Sequence, residues 1–218
     1  MHEHDKLWRK IVILHNTNKT LFIWCEEHDC QLKSFLQPNN ELKNAWEHAV
    51  RAKGNEIGLE GERNDKYILD NLESVLSHEY RAFFDICDWL SLNLRQRFIK
   101  TLEPYDNETI NAVIPNYYVE IRPRADGFCT EIASLRASKD IAKGDDIISH
   151  VEQYRGIIDN LIEDLKNISA RVAGLEEYKT KKKAAERRGW RKDAILVIIG
   201  AALFAFGEWL VSLLSGKP

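Results

Sequence analysis

The sequence predicts a mainly α-helical fold: a bundle of long helices with one candidate β-hairpin, followed by a C-terminal transmembrane helix. Three observations lead to this fold class. Apolar residues recur at alternating steps of four and three along much of the chain, which is the spacing of one helix face. Glycine and proline number only 11 and 5 of 218 residues, so few positions interrupt a helix. A long run at positions 194–214 is apolar apart from one charged residue, Glu208.

The composition excludes several classes of protein. With 44% hydrophobic residues, the chain has enough apolar surface to fold, which excludes wholesale disorder. The net charge of −3 argues against a dedicated DNA-binding protein that works through bulk charge. The four cysteines have no framework spacing and the polar N-terminus carries no secretory signal, so we expect reduced thiols in a cytoplasmic domain.

The first predicted helix runs from about Asp5 to Gln37, where Pro38 should close it. Its apolar seam has the four-three alternation of a heptad repeat. The seam consists of Leu7, Ile11, Leu14, Asn18, Leu21, Cys25, His28, Leu32 and Phe35.

Two further helices follow. Asn40 is a candidate cap for a helix over 41–53, which Gly54 should end, and a glycine-containing loop covers 54–62. Asn64 or Asp65 then caps a third helix that reaches about residue 102, before Pro104. The apolar stripe of this third helix is Leu72, Leu76, Tyr80, Phe83, Cys87, Leu90 and Leu94.

The next segment contains the candidate hairpin. Asp106 can start a short helical turn that ends before Pro115. Residues 117–122 read YYVEIR, a composition typical of a strand, and 124–127 form a turn signal. Residues 128–132 could then return as a second strand.

The last predicted helix of the domain starts at Asp145 or Asp146 and continues almost unbroken into the membrane. Its seam has two interpretations: a coiled coil between copies of the chain, or an amphipathic helix packed on its own domain. The seam comprises Ile147, Val151, Tyr154, Ile158, Leu161, Leu165, Ile168, Val172 and Leu175.

The apolar run 194–214 predicts a membrane span. At about 1.5 Å per residue it crosses the roughly 30 Å hydrocarbon core, and because only 215–218 follow, we expect a tail anchor. Residues 179–192 read KTKKKAAERRGWRK, and the positive-inside rule places this flank in the cytoplasm. The predicted organisation is therefore a cytoplasmic helical domain over 1–178, a basic juxtamembrane segment over 179–192 and the anchor over 193–218.

A small and polar face runs along the predicted span. Ala201, Ala205, Glu208 and Ser212 share it, and Glu208 is the one charged residue of the run. A carboxylate in lipid costs roughly 2.5–3.5 kcal/mol, which leaves three interpretations. The face could line the axis of an oligomer and a pore, it could pack closely against another helix without a channel, or Glu208 could extend to the far interface.

The basic segment is assigned to lipid headgroups, with RNA as the alternative ligand. The side chains assigned to this contact are Lys181, Lys182, Lys183, Arg187, Arg188, Arg191 and Lys192.

The stretch ELKNAWEHAVR, 41–51, contains Glu41, His48 and Arg51. It resembles the E-x-[KR]-N-A-x-x-H-x-x-R helix of HEPN-like helical domains in bacterial anti-phage and abortive-infection membrane effectors, some of them CRISPR-linked. The resemblance covers about eleven residues directly and the all-helical layout loosely. It implies an α-helical domain and a setting in phage defence.

The resemblance also implies an alternative activity, because active members are metal-independent RNases that use an Arg followed four to six residues later by His. In such a site the Arg steadies the phosphate and the His moves a proton. Arg9 and His15 match that spacing, although the residues between them are mostly apolar. Their separation of six residues also places them on opposite faces of a helix. Cys25, His28 and Cys30 lack a second ligand pair for zinc, so no metal and no cofactor is predicted.

These features favour a tail-anchored homo-oligomer in the inner membrane, with its N-terminus in the cytoplasm. The leading hypothesis is an effector that perturbs or perforates the bilayer when a cytoplasmic protein, a nucleotide or RNA triggers its domain. The alternatives are a membrane adaptor that opens no pore and recruits a cytoplasmic partner, and a membrane-tethered RNase.

Overall fold

The computed structural model describes residues 3–28, 36–59, 61–139 and 145–214. Of these residues 93% are helical and none lies in a strand. The prediction of a mainly α-helical chain with one long apolar C-terminal helix is therefore confirmed.

Six α-helices and one π-helical turn make up the described chain. They are α1 (Glu3–His28), α2 (Leu36–Glu56), α3 (Asp65–Leu102), α4 (Asn107–Val113), the π-turn (Tyr117–Ile121), α5 (Arg122–Ser138) and α6 (Asp145–Leu214).

The boundary between the first two helices differs from the prediction. Helix α1 is described only to His28, and the predicted seam positions Leu32 and Phe35 lie outside the described residues. Pro38 does not end a helix but lies in the first turn of α2, where the missing N–H has no helical partner to lose. Asn40 is consequently inside α2 rather than its cap.

The predicted end of the second helix at Gly54 is wrong, because α2 passes through this glycine and ends at Glu56. The loop beyond it turns at Gly58 and Gly61, whose φ angles are 76° and 91°. Only glycine adopts such angles without strain. Asn64 caps α3 by accepting a hydrogen bond from the backbone N–H of Tyr67 at 3.1 Å, so the predicted start of this helix is confirmed.

The predicted β-hairpin is wrong. Residues 117–121 form the π-turn and the turn signal 124–127 lies inside α5. The buried residues Ile121, Phe128, Ile132 and Leu135 follow one another at steps of seven, four and three, so a helix buries all of them on one side. A lone two-stranded hairpin is marginal in water, and the β propensity of YYVEI yields to this packing.

Helix α3 lies at the centre of the bundle and packs against α1, α2 and α6. Every residue of its predicted stripe is buried. The largest fully buried side chains come mainly from α3 and α6: Phe83, Phe84, Leu90, Leu94, Tyr154, Ile158, Leu161, Ile168 and Leu175. The core is thus built between these two long helices.

The seam of α6 is part of this core. All its predicted residues are buried except Val172, which is half-buried. Between the two interpretations of this seam, the structure shows packing on the chain's own domain, because α3, α4 and α5 all contact α6. The seam is therefore covered by the chain itself and is not free to form a coiled coil with another copy.

Candidate functional site

The second half of α6 leaves the domain without a partner. None of the apolar window near its C-terminus is buried inside the chain. The large apolar side chains that the structure describes here are exposed: Ile195, Leu196, Val197, Ile198, Ile199, Leu203, Phe204, Phe206, Trp209, Leu210 and Val211. By length and composition this is a helix that can cross a membrane, and an apolar surface of this size is otherwise unfavourable in water.

The small and polar face of the span is exposed as well. Ala201, Ala205 and Glu208 have no contact with the domain, while the side chain of Ser212 lies outside the described residues. Because the three positions are separated by steps of four and three, they share one face of α6. That face is free to meet another helix.

The basic segment divides into two kinds of residue. Most of its cations are exposed along α6: Lys181, Lys183, Arg187, Arg188, Arg191 and Lys192. Lys182 differs, because its side chain is 23% exposed and its Nζ donates to Asp106 Oδ2 at 2.8 Å and Glu108 Oε2 at 2.6 Å. Lys182 is therefore bound by the domain and is not a free contact for lipid.

Helix α4 and Tyr105, the residue before its cap, contact α6 near Lys182. Asp106 caps α4 through the backbone N–H of Thr109 at 2.7 Å and also binds Lys182. The hydrogen bonds from Lys182 and Thr109 hold the pKa of Asp106 far below its usual range, and the two carboxylates raise the pKa of Lys182. Both groups are charged at neutral pH, so the contact is an ion pair.

Tyr105 completes the contact. Its Oη donates to Glu176 Oε1 at 2.7 Å, and Lys179 Nζ lies 5.1 Å from the centre of its ring. Burial, together with the bond to Glu176, raises the pKa of Tyr105 to about 12. We call the contact of Tyr105, Asp106 and Glu108 with α6 the α4 clasp. It lies about 18 Å along α6 from the start of the apolar run at Ala194.

A polar cluster joins α2 to α3 and contains two sequence-predicted residues. Glu41 Oε2 lies 2.7 Å from His78 Nδ1 and accepts a hydrogen bond from Arg81 Nε at 2.9 Å. His48 Nδ1 lies 2.8 Å from Asn71 Oδ1, and its ring stacks on that of His78 with centroids 5.4 Å apart. These five residues form the α2–α3 polar cluster, in which each residue has at least one partner within the protein.

The carboxyl of Glu41 is ionised in this cluster. Burial alone would raise its pKa, but the hydrogen bonds and charges of His78 and Arg81 outweigh that effect and lower it below 4.5. Because the pKa of this carboxyl is lower in the folded chain than in the unfolded chain, its ionised form stabilises the fold at pH values above the unfolded-state pKa. This stability is lost as the pH falls through the folded-state pKa.

We therefore expect Glu41→Gln to lower the free energy of unfolding by about 1–2 kcal/mol at pH 7. The difference from the wild type should shrink at acidic pH, as the pH falls through the lowered pKa of the native Glu41 carboxyl and this carboxyl becomes protonated. Thermal unfolding of both proteins between pH 3 and 8 measures this. Glu47→Gln is the control, since Glu47 makes only an exposed contact with Arg51 at 3.9 Å. A difference that is independent of pH would contradict the assignment.

The remaining catalytic candidates are not brought together. Arg51 pairs with Glu47 on the exposed side of α2 and is outside the polar cluster. His15 Nδ1 lies 2.8 Å from Oε1 of the buried Glu79, so it is tied to α3, while Arg9 is exposed on α1. The Arg and His of the RNase spacing therefore have different environments.

The sequence analysis missed the partners that α3 and α4 provide. His78 and Arg81 lie three residues apart in α3, a spacing that places both on one helix face. That spacing was the available signal for a contact with Glu41, but it does not identify the partner helix. The acidic residues at the start of α4 fit an ordinary helix cap, and nothing in their spacing indicates Lys182.

No protein-family model, curated protein or solved structure matches the chain. The resemblance to HEPN-like domains thus stays a prediction from the eleven-residue stretch. Within the described part of the chain, no group of three or more His, Cys, Asp or Glu side chains could hold a metal ion. Cys25 is buried in α1, whereas the side chains of His28 and Cys30 lie outside the described residues.

Proposed function

We propose that the chain is a homo-oligomeric, single-pass membrane effector that perturbs or perforates the inner membrane when its cytoplasmic domain is triggered. The observation that supports it is α6. This one 70-residue helix has a first half buried in the domain core and a second half whose apolar surface is not covered by any described part of the chain. Any rearrangement of the domain is therefore transmitted directly to the membrane.

The orientation follows from the charges next to the span. Residues 179–192 contain eight basic residues and one acidic residue, and such flanks stay on the cytoplasmic side. Trp190 and Trp209 are both exposed and suit the two membrane interfaces. The cytoplasmic membrane with the domain inside the cell is the arrangement that fits.

Assembly of several copies accounts for the polar face of the span. Glu208 is exposed, with no partner among the described residues, and a carboxylate facing acyl chains is costly. A second copy offers the same small residues, Ala201 and Ala205, which allow helices to approach closely. The seam in the first half of α6 is covered inside the domain, so it is not available for contact between copies. The face around Glu208, in the second half of α6, remains exposed for contact within the bilayer.

The α4 clasp supports a coupling between domain and membrane. It fixes α6 at Lys182, about 18 Å before the apolar run, while the exposed cations beyond it are placed to contact headgroups. A trigger that moves the domain then rotates or shifts the helix as one body. Phage defence is the setting that the resemblance to HEPN-like effectors implies.

We expect Glu208→Leu to reduce membrane depolarisation by about tenfold or more, because interhelical polar contacts in membranes contribute about 1–2 kcal/mol. The measurement is a potential-sensitive dye in cells that express the full chain. Glu208→Gln should retain part of the effect, because an amide still forms hydrogen bonds between helices.

The control is Phe204→Leu, an apolar exchange at an exposed position of the same span. External protease on the same cells checks the orientation, because the domain should remain intact until lysis. Equal signals from all variants would favour the adaptor, and loss of RNA cleavage on His15→Ala or His48→Ala would favour the RNase. A chain that stays monomeric in detergent at all concentrations would rule out the assembly.

A further inference from the structure

An apolar groove lies between α1 and α2 on the surface of α3. Two cavities, of about 360 and 260 Å³, meet there because both are lined by Trp8, Trp46 and Ala49. Val75 and Glu79 of α3 line the inner end. The cavities therefore form one continuous groove with aromatic walls.

The apolar side chains along the groove are unusually exposed for a folded domain. Trp46 is 70% exposed and Leu59 is 78% exposed, and Val12, Val50 and Ile57 are each about half exposed. Together with Trp8 they present on the order of 600 Å² of apolar area, the upper end for a patch on a monomer. Two such patches facing each other bury about 1,200 Å² in total, which is the lower end of the range for specific protein interfaces.

The membrane does not cover this groove. Contacts such as Tyr80 with His150 and Tyr105 with Glu176 show that α3 runs parallel to α6 towards the span. The groove lies beside the N-terminal half of α3, at or above the level of His150. That level is about 66 Å along α6 from Ala194, too far for a bilayer around the span to cover the groove.

The groove has the features of a surface that pairs with itself. A two-fold contact needs a projecting group and its receptor on the same patch. Trp46 projects from the wall of both cavities, and the apolar groove beside it can take an indole ring. Two copies related by a two-fold axis each insert one ring and receive one.

The floor of the groove offers a hydrogen-bond acceptor for an indole N–H. Glu79 Oε1 lies 2.8 Å from His15 Nδ1, and Oε2 accepts from Asn18 Nδ2 at 2.7 Å. A carboxylate offers about four lone-pair sites, so it has capacity for one more donor. A buried Trp N–H normally requires such an acceptor.

We propose that the α1–α2 groove is a dimer interface in which Trp46 enters the groove of a second copy. This inference rests on the proposed function in one respect: a shared membrane anchor holds the copies in one orientation and at high local concentration, which favours self-association over a dilute partner. The dimer forms at the membrane-distal end of the domain. It is independent of the contact around Glu208, which lies in the bilayer.

The test is the mass of the full chain in detergent, measured by light scattering. Trp46→Lys should reduce the mass of the assembly by about twofold or more, because it places a charge in the groove and removes the inserted ring. Val50→Lys, at a second exposed groove position, should have the same effect. Ile99→Lys is the matched control, because Ile99 is 68% exposed on α3 outside the groove and should leave the mass unchanged.

Glu208→Leu separates this inference from the proposed function. If both are correct, Glu208→Leu leaves dimers that Trp46→Lys then converts to monomers. An assembly whose mass is unchanged by Trp46→Lys and Val50→Lys overturns the groove interface while the membrane assembly stands. If the wild-type chain forms dimers and Glu208→Leu leaves them unchanged, the groove interface is supported and assembly through the span is overturned. A monomeric wild-type chain overturns both.

Discussion

Tyr154→Ala is expected to lower the free energy of unfolding by about 3–5 kcal/mol, the range for removing a large buried side chain. Tyr154 is fully buried in α6, and its ring packs edge-on against Phe83 and Phe84 of α3 with centroids 6.1 and 5.4 Å away. Its removal leaves a cavity where the two core helices meet. Denaturant unfolding of the full chain in detergent, followed by near-ultraviolet circular dichroism, measures this loss.

Tyr154→Phe separates packing from hydrogen bonding at the same position. The Tyr154 hydroxyl donates to Asp88 Oδ1 at 2.5 Å, and that oxygen also accepts from Arg136 Nε at 2.8 Å. Burial, followed by the bond to Asp88, raises the pKa of Tyr154 well above its ordinary value, so the hydroxyl remains a donor. Its loss should cost about 1.5–3 kcal/mol.

The control for both variants is Tyr67→Phe, because Tyr67 is 37% exposed at the start of α3. That exchange should change stability by less than about 0.5 kcal/mol. If Tyr154→Ala were no more destabilising than this control, α6 would not be anchored in the core as its burial indicates.

The apolar spacing predicted the fold because each stripe has one consistent period. The predicted stripe of α3 is buried throughout, and that of α6 is buried except at the half-buried Val172, because apolar residues at helical spacing all face one side of the helix. Local signals were less reliable where packing competes with them. Pro38 was predicted to stop a helix but starts one, and Asp126-Gly127 was predicted as a turn but continues α5.

The candidate sites depended more on contacts between distant residues. Glu41 and His48 are seven residues apart, a spacing that puts them on one face of α2, and both do meet α3. Their partners are His78, Arg81 and Asn71. Which residues of α3 they contact depends on how the two helices align, and the local sequence does not specify that alignment. The same holds for Lys182, which the charge pattern assigned to lipid but which α4 binds.

The unbroken course of α6 is the feature on which a mechanical link between domain and membrane depends. Gly189 lies in this helix between the α4 clasp and the span, and its surroundings are open, since a Cβ at this position would meet nothing within 4 Å. A substitution here therefore alters the helix alone. It does not disturb the packing of the domain.

Gly189→Pro is expected to abolish the membrane effect while the domain stays folded. Proline removes the hydrogen bond to the carbonyl four residues earlier and clashes with it, at a cost of about 3 kcal/mol or more in a helix interior. The kink separates the motion of the domain from that of the span. Depolarisation should fall by about tenfold or more, whereas the domain's unfolding free energy in detergent should change by less than about 0.5 kcal/mol.

Gly189→Ala is the matched control, because alanine stabilises a helix interior by about 0.5–1 kcal/mol relative to glycine. This variant should depolarise membranes at least as well as the wild type, since a stiffer connection transmits the motion of the domain more completely. The two substitutions thus change helix continuity in opposite directions at one exposed position. Full activity of Gly189→Pro would show that the domain acts on the membrane without a rigid helix between them.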